Sequence, residues 1–325
     1  MIKGFLTGAF RPFHLGHEAL IDFAKSNCDE LTILITTLPD ENIPYKYRLK
    51  WVLSTYLDDP KVTIVADTIN EPTNLSYDEL SEWWGTYIKE KYGHFDKVFT
   101  SEDYGDIFAK TMGAEHIKFN KLRTLVPISA TMIRKKPLTY WHYLNNFAKD
   151  YFIKKIAIVG TESTGKTILA EQLANHYNTV WCPELGDQIV NKTEACTLDD
   201  IKLIGSEHAK HIIKYTRLAN KLLFIDTDLS ITKSYSKFLF NNIPEFEPWI
   251  EQANKADYYI FLSSDAPYVD NGRRLKKEER DILEKSHLEI LNKNEIKYDS
   301  FSCELGYEYR LNQITNVIDK FIKKY

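Results

Sequence analysis

The sequence predicts an α/β protein built of two doubly wound parallel-sheet domains, and three observations carry that prediction. An apolar, β-branched run at 156–159 leads into Gly160-Thr161-Glu162-Ser163-Thr164-Gly165-Lys166-Thr167 and then a helix-like apolar repeat, the strand, glycine loop and helix of a P-loop. A second strand, loop and helix opens the chain, where residues 2–7 run into Gly8-Ala9-Phe10-Arg11-Pro12-Phe13-His14-Leu15-Gly16-His17. Around both loops, apolar strand-like runs alternate with helix-like stretches, as crossover connections of a parallel sheet require. A length of 325 residues is ample for two cores, and the P-loop begins near the midpoint, so the residues before it form a domain of their own. The expected division is 1–140, a connector at 141–152, and 153–325.

In the first half, strands are expected at 2–7, 31–35, 62–66, 97–100 and 116–119, with helices at 47–57 and 77–92. Ligands of such a sheet belong in the crevice at the carboxyl ends of the strands. His14 and His17 stand at i and i+3 where a helix begins, with Gly16 between them allowing close approach. Such a pair can donate hydrogen bonds to phosphate oxygens and stabilise charge on a transferring phosphoryl group. A metal pair is the competing reading, and it lacks a third ligand at recognisable spacing. In Pro127-Ile128-Ser129-Ala130-Thr131-Met132-Ile133-Arg134, Ser129 is a good N-cap and Arg134 offers a fork of donors to phosphate. Trp83-Trp84 is a candidate stacking surface for a planar cationic ring, set against the commoner role of paired tryptophans as core residues. The polar loop Ser101-Glu102-Asp103-Tyr104-Gly105 follows the fourth strand, where a base or ribose could be held.

In the second half, Gly160 and Gly165 permit the turns that aim successive N–H groups inward, and Glu162, Ser163 and Thr164 complete the anion cradle. Lys166 reaches the β- and γ-phosphates, and Thr167 offers its hydroxyl to Mg2+. A short strand at 180–181 leads to Glu184, a carboxylate placed to hold sugar hydroxyls. Leu222-Leu223-Phe224-Ile225-Asp226-Thr227-Asp228 reads as a Walker-B strand, with Asp226 beside the magnesium and either aspartate able to take a proton from a substrate hydroxyl. After another strand at 258–262, Arg273 and Arg274 follow a flexible Asn-Gly and suggest a lid over the γ-phosphate.

Net charge is −4 with acids and bases mixed along the chain, which excludes nucleic acid as the main partner for want of a dominant basic face. Four cysteines without a CxxC pair read as reduced thiols of a cytoplasmic protein. No apolar run reaches spanning length, so no membrane insertion is expected; homo-oligomerisation is left open.

His14-Leu15-Gly16-His17 with the Ser129–Arg134 segment resembles the HxGH and Ser/Thr-x-x-Arg signatures of the nucleotidyltransferase superfamily. Taken together, HLGH, SEDYG, PISATMIR, the YW connector, GTESTGKT, FIDTD and YVDNGRR resemble, in order, the NadR-type bifunctional family, over nearly the whole chain. The resemblance implies an N-terminal nicotinamide mononucleotide adenylyltransferase and a C-terminal ribosylnicotinamide kinase of P-loop type. It implies ATP, nicotinamide riboside, nicotinamide mononucleotide and NAD as the small-molecule ligands, with Mg2+ as cofactor. In the first half it assigns ATP to Gly8, Phe10, Arg11, His14, His17, Ser129, Thr131 and Arg134, with the histidines and Arg134 catalytic. In the second half it assigns ATP to the P-loop, Arg273 and Arg274, with Lys166, Asp226 and Asp228 catalytic. Trp83, Trp84, Glu184 and Asp226 are the substrate candidates. Three departures stand out: Ala9 where the family usually has a basic residue, Asp187 where it tends to show an arginine, and no helix-turn-helix before the first strand, from which no transcriptional role is expected. The rival readings are a single working half, a different acceptor, or a non-catalytic nucleotide sensor.

Overall fold

The computed structural model describes residues 1–37, 41–190, 195–265 and 277–325. The chain divides into two compact units, Met1–Tyr151 with Tyr325, and Phe152–Lys324. In the first unit β1 (Lys3–Gly8), α1 (Leu15–Ser26), β2 (Glu30–Thr37), α2 (Tyr45–Tyr56), β3 (Val62–Thr68), α3 (Tyr77–Tyr92), β4 (Lys97–Thr100), α4 (Tyr104–Met112), β5 (Glu115–Lys118) and α5 (Ala130–Lys135) alternate as the sequence predicts. The sheet order is β3-β2-β1-β4-β5 with every pair parallel. Chain direction across the sheet reverses beside β1, so the crevice for a ligand opens at the carboxyl ends of β1 and β4. Phe5, Leu34, Val98 and Phe108 pack with Ile88 into one buried cluster that fixes α3 and α4 on their strands.

Residues 141–151, expected to connect two domains, fall inside this first unit. Leu144 makes an isolated antiparallel bridge to His14, and the Asn145 side chain donates to Glu18 of α1 at 2.9 Å. The stretch is therefore a strap on the start of α1, made by its buried Trp141 and Leu144. A short helix, α6 (Lys149–Phe152), ends it.

The second unit holds β6 (Lys154–Gly160), α7 (Lys166–His176), β7 (Val180–Cys182), α8 (Gly186–Ile189), α9 (Leu198–Thr216), β8 (Leu222–Asp226), α10 (Leu229–Phe240), α11 (Pro248–Asn254), β9 (Tyr258–Leu262), α12 (Lys277–Lys293), β10 (Asp299–Phe301) and α13 (Tyr307–Ile322). Its sheet runs β10-β9-β6-β8-β7, again all parallel. β6 lies at the centre with Ile156, Ala157, Ile158 and Val159 all fully buried, which is why its sequence is continuously apolar rather than alternating. At its end Gly160 has φ +145°, and a Cβ there would sit 2.5 Å from the Leu262 carbonyl oxygen, so no other residue fits the turn into the P-loop. β10 was not expected: it is a three-residue edge strand in which only Phe301 is buried.

Candidate active sites

In the first unit the loop after β1 turns sharply at Phe10, which has φ +48° and only 2% exposure, and delivers His14 and His17 to the head of α1. The two imidazoles stack with centroids 3.7 Å apart, and Phe10 and Phe13 wall in His17 at 5.0 and 5.9 Å. His14 Nδ1 accepts the Gly16 N–H at 3.1 Å, which leaves its proton on Nε2. A Cβ on Gly16 would stand 2.9 Å from the His14 ring, so the glycine between the histidines is required for this cap. Burial lowers the His14 pKa to about 4, with the Arg123 charge adding to the shift. His17 is held well below its ordinary value by burial, His14 and Arg123. Near neutral pH both rings are uncharged N–H donors.

These groups line a cavity of about 280 Å³ together with Gly8, Phe10, Ser129 and Thr131. Ser129 caps α5 as expected, accepting the Met132 N–H at 3.2 Å. Arg11 and Arg134 are not on the wall. Arg134 donates to the Arg11 carbonyl and, at 3.0 Å, to Thr131, while Arg11 pairs with Glu41 at 3.3 Å. Sequence reasoning missed Arg123 and Asn120, both on the wall; Arg123 pairs with Glu102 of the polar loop at 3.2 Å. Trp83 and Trp84 do not reach the wall: Trp83 stacks on Tyr87, Trp84 donates to Glu71 at 3.0 Å, and both pack on the core cluster. They are core aromatics here because helix α3 presents that face to the sheet.

In the second unit a cavity of about 420 Å³ is lined by Gly160, Glu162, Ser163, Gly165, Lys166, Thr167, Glu184 and Asp187, with an apolar side of Val190, Ile201, Ile204, Ile231 and Leu239. Thr164 is buried behind the loop, its hydroxyl donating to the Thr161 carbonyl at 2.9 Å. Lys166 Nζ donates to that same carbonyl at 2.8 Å. Thr167 donates to Asp226 Oδ2 at 2.5 Å, and Asp226 Oδ1 is buried without a partner. Two oxygen ligands side by side, one with an unfilled coordination direction, fit a hard divalent cation. Burial raises the Asp226 pKa, with Lys166 opposing.

Glu184 is raised to about 7, chiefly by burial, with Asp226, Asp187 and Glu162 adding and Lys166 opposing. The Thr227 hydroxyl donates to Glu184 Oε2 at 3.4 Å, and the Tyr235 hydroxyl, missed from the sequence, donates to Glu162 at 3.2 Å. Asp228 does not face the cavity. It is 2% exposed and caps α10, accepting the Ser230 hydroxyl at 2.5 Å and the Ser230 and Ile231 N–H groups. Its Oδ1 is committed to that cap and its carboxyl also takes a hydrogen bond from Tyr259, which argues against it as a base for a ligand in the cavity. Arg273 and Arg274, the expected lid, lie outside the described residues.

Residues 155–303 match the family model of an AAA domain. The trifunctional NAD biosynthesis/regulator protein NadR of Escherichia coli (strain K12) is 29% identical over 91% of this chain and 80% of its own length. The phosphopantetheine adenylyltransferase of Bacteroides thetaiotaomicron is 25% identical over 46% of this chain and 97% of its own. A crystal structure of NadR protein in complex with NR shares the fold, with a TM-score of 0.81 at 19% identity over 98% of this chain and 96% of that one. The chain is a homologue of the NadR proteins along nearly all of its length, with both halves included.

Proposed function

We propose that the chain is a bifunctional enzyme of NAD biosynthesis, a ribosylnicotinamide kinase in its C-terminal unit and a nicotinamide mononucleotide adenylyltransferase in its N-terminal unit. The observation that supports this reading is that each half of a NadR homologue holds a cavity lined by its own glycine-loop motif, His14 and His17 with Ser129 in one and Gly160 to Thr167 in the other. In the kinase, the P-loop N–H groups and Lys166 receive the triphosphate of ATP, Lys166 exchanging the Thr161 carbonyl for phosphate oxygens. Thr167 and Asp226 would hold Mg2+, which when bound neutralises charge on the phosphates. The 5′-hydroxyl of nicotinamide riboside attacks the γ-phosphorus and its proton passes to Glu184, whose raised pKa suits a base working near neutrality. ADP leaves.

The mononucleotide so formed is the acceptor in the other unit. One of its phosphate oxygens attacks the α-phosphorus of a second ATP, a new P–O–P bond forms, and pyrophosphate departs. The attacking group is already ionised, so no base is needed. His14 and His17 donate to the triphosphate as neutral rings, and the N-terminus of α5 faces the same cavity. Positioning and fixed dipoles supply the rate.

Chromatography of products from purified protein, Mg-ATP and either nicotinamide riboside or its mononucleotide tests the whole reading. NAD from both substrates, with ADP only from the riboside and pyrophosphate from each, is the expected outcome. Mononucleotide without NAD would leave a kinase alone, NAD only from the mononucleotide would leave a transferase alone, and no product from either would overturn the proposal.

A further inference from the structure

Arg48 of α2 is a fully buried arginine in the first unit, whose two terminal nitrogens are engaged while its Nε has no partner among the described residues. Its Nη1 donates to the Ala9 carbonyl at 2.6 Å and to the Thr36 carbonyl, near the carboxyl end of β2, at 2.8 Å. Its Nη2 pairs with Glu41. Glu41, whose side chain is 6% exposed, also holds Arg11 at 3.3 Å. The Arg11 carbonyl in turn accepts from Arg134, which donates onward to Thr131 at 3.0 Å. A continuous chain of charge-assisted bonds thus runs from one buried guanidinium through the 9–11 loop to α5, lacing together the two motifs that face the ATP cavity.

We propose that Arg48 is the positioning residue of the adenylyl-transfer site. Its fork fixes the carbonyl of Ala9 against the end of β2 and, through Glu41, sets the head of Arg11, so the loop from Gly8 to His14 is rigid before the triphosphate arrives. The inference rests on the adenylyl-transfer reading above and goes beyond it by assigning a role to a residue that touches no substrate. Only a planar fork serves here. Arg48 makes contacts in three directions from two nitrogens, and a lysine ammonium on a similar stem cannot span two carbonyls and a carboxylate in that plane. Ala9 brings no charge to the loop, so Arg11 is the loop's own cation, and Glu41 decides where it sits.

The test is Arg48→Lys in the full chain, with adenylyl transfer measured against ATP and mononucleotide, riboside phosphorylation measured on the same preparation, and thermal unfolding recorded. The KM for ATP in adenylyl transfer should rise tenfold or more with a smaller fall in kcat, while phosphorylation stays at its wild-type constants. A merely structural role would instead lower the melting temperature and the active fraction, giving a lower kcat with KM for ATP unmoved, and that result overturns the proposal. Glu41→Gln covers the case in which the lysine variant fails to fold. It keeps the shape, removes the charge that orients both arginines, and should raise the same KM; a wild-type KM there overturns the proposal as well. Wild-type protein that makes no NAD from mononucleotide overturns the transfer reading together with this one, whereas an active wild type with KM unmoved in both variants overturns this one alone.

Discussion

Replacing Glu184 by glutamine should abolish riboside phosphorylation, stabilise the kinase unit at alkaline pH, and leave adenylyl transfer untouched. Burial raises the carboxyl from its ordinary value of 4.5 to about 7. It accepts a proton only when ionised, so wild-type phosphorylation should fall roughly tenfold per pH unit below about pH 7 and level off above it. Without a base the glutamine variant should lose about 10²- to 10⁴-fold and show no such limb. Adenylyl transfer in the same tube is the internal control, because the pKa of His14 is lowered to about 4 and that of His17 lies well below its ordinary value, so neither ring titrates near 7.

The effect on stability has the opposite sign. A carboxyl whose pKa is higher folded than unfolded keeps a proton in the folded state that the unfolded chain has released, so stability falls as pH rises through the window from 4.5 to about 7. That shift corresponds to roughly 3 kcal/mol at most above the window. Glu184→Gln should therefore melt later than wild type at about pH 8 and alongside it at about pH 4. The assays are initial rates of ADP formation from pH 5 to 9 and thermal scans at both ends. An acidic limb centred near 4.5, or wild-type phosphorylation by the glutamine variant, would refute the reasoning.

Lys166→Ala should end phosphorylation while NAD still forms from mononucleotide, and His17→Ala should do the reverse; loss of both activities in either folded variant would count against two independent sites. Gly160→Ala places a Cβ 2.5 Å from the Leu262 carbonyl at φ +145°, so phosphorylation should disappear and that unit should lose about 2–5 kcal/mol of stability to overpacking and strain, read as a lower melting temperature in thermal scans. Asp228→Asn keeps an acceptor oxygen for the α10 cap and should phosphorylate within about threefold of wild type, whereas Asp228→Ala should cost about 1–2 kcal/mol in denaturant melts. Loss of phosphorylation in a stable Asp228→Asn would restore that residue as a base.

Much of this was legible because both glycine loops are local: strand, turn and helix lie within about twenty residues, and backbone rules bind each position. β6 and β8 were legible for a related reason. Strands buried on both faces read as unbroken apolar runs, and Leu222 to Asp226 are all buried. The strap at 141–151 was misplaced because an aromatic, helix-compatible stretch looks the same whether it joins domains or folds back, and only the bridge from Leu144 to His14 decides. Arg48, Arg123 and Tyr235 left no readable signal. Each reaches its site by tertiary contact, and an arginine on a helix reads as surface until the carbonyls it meets are known.

The pair Asp226 and Asp228 shows the same limit on a smaller scale. In a continuing strand, residues two apart share a face, so both carboxylates would point at the phosphates and either would serve as base. The chain does not continue as a strand. Thr227 takes φ +66°, a left-handed conformation that is costly for a β-branched residue, while its N–H stays on the Ile158 carbonyl at 3.0 Å. That single residue breaks the alternation: Asp226 remains beside Thr167, Asp228 swings away to begin α10, and the Thr227 hydroxyl is brought to 3.4 Å from Glu184. The strain is stored where the carboxylate beside Thr167 and the cap of α10 must part company within three residues, and no propensity scale reads a threonine there as a turn.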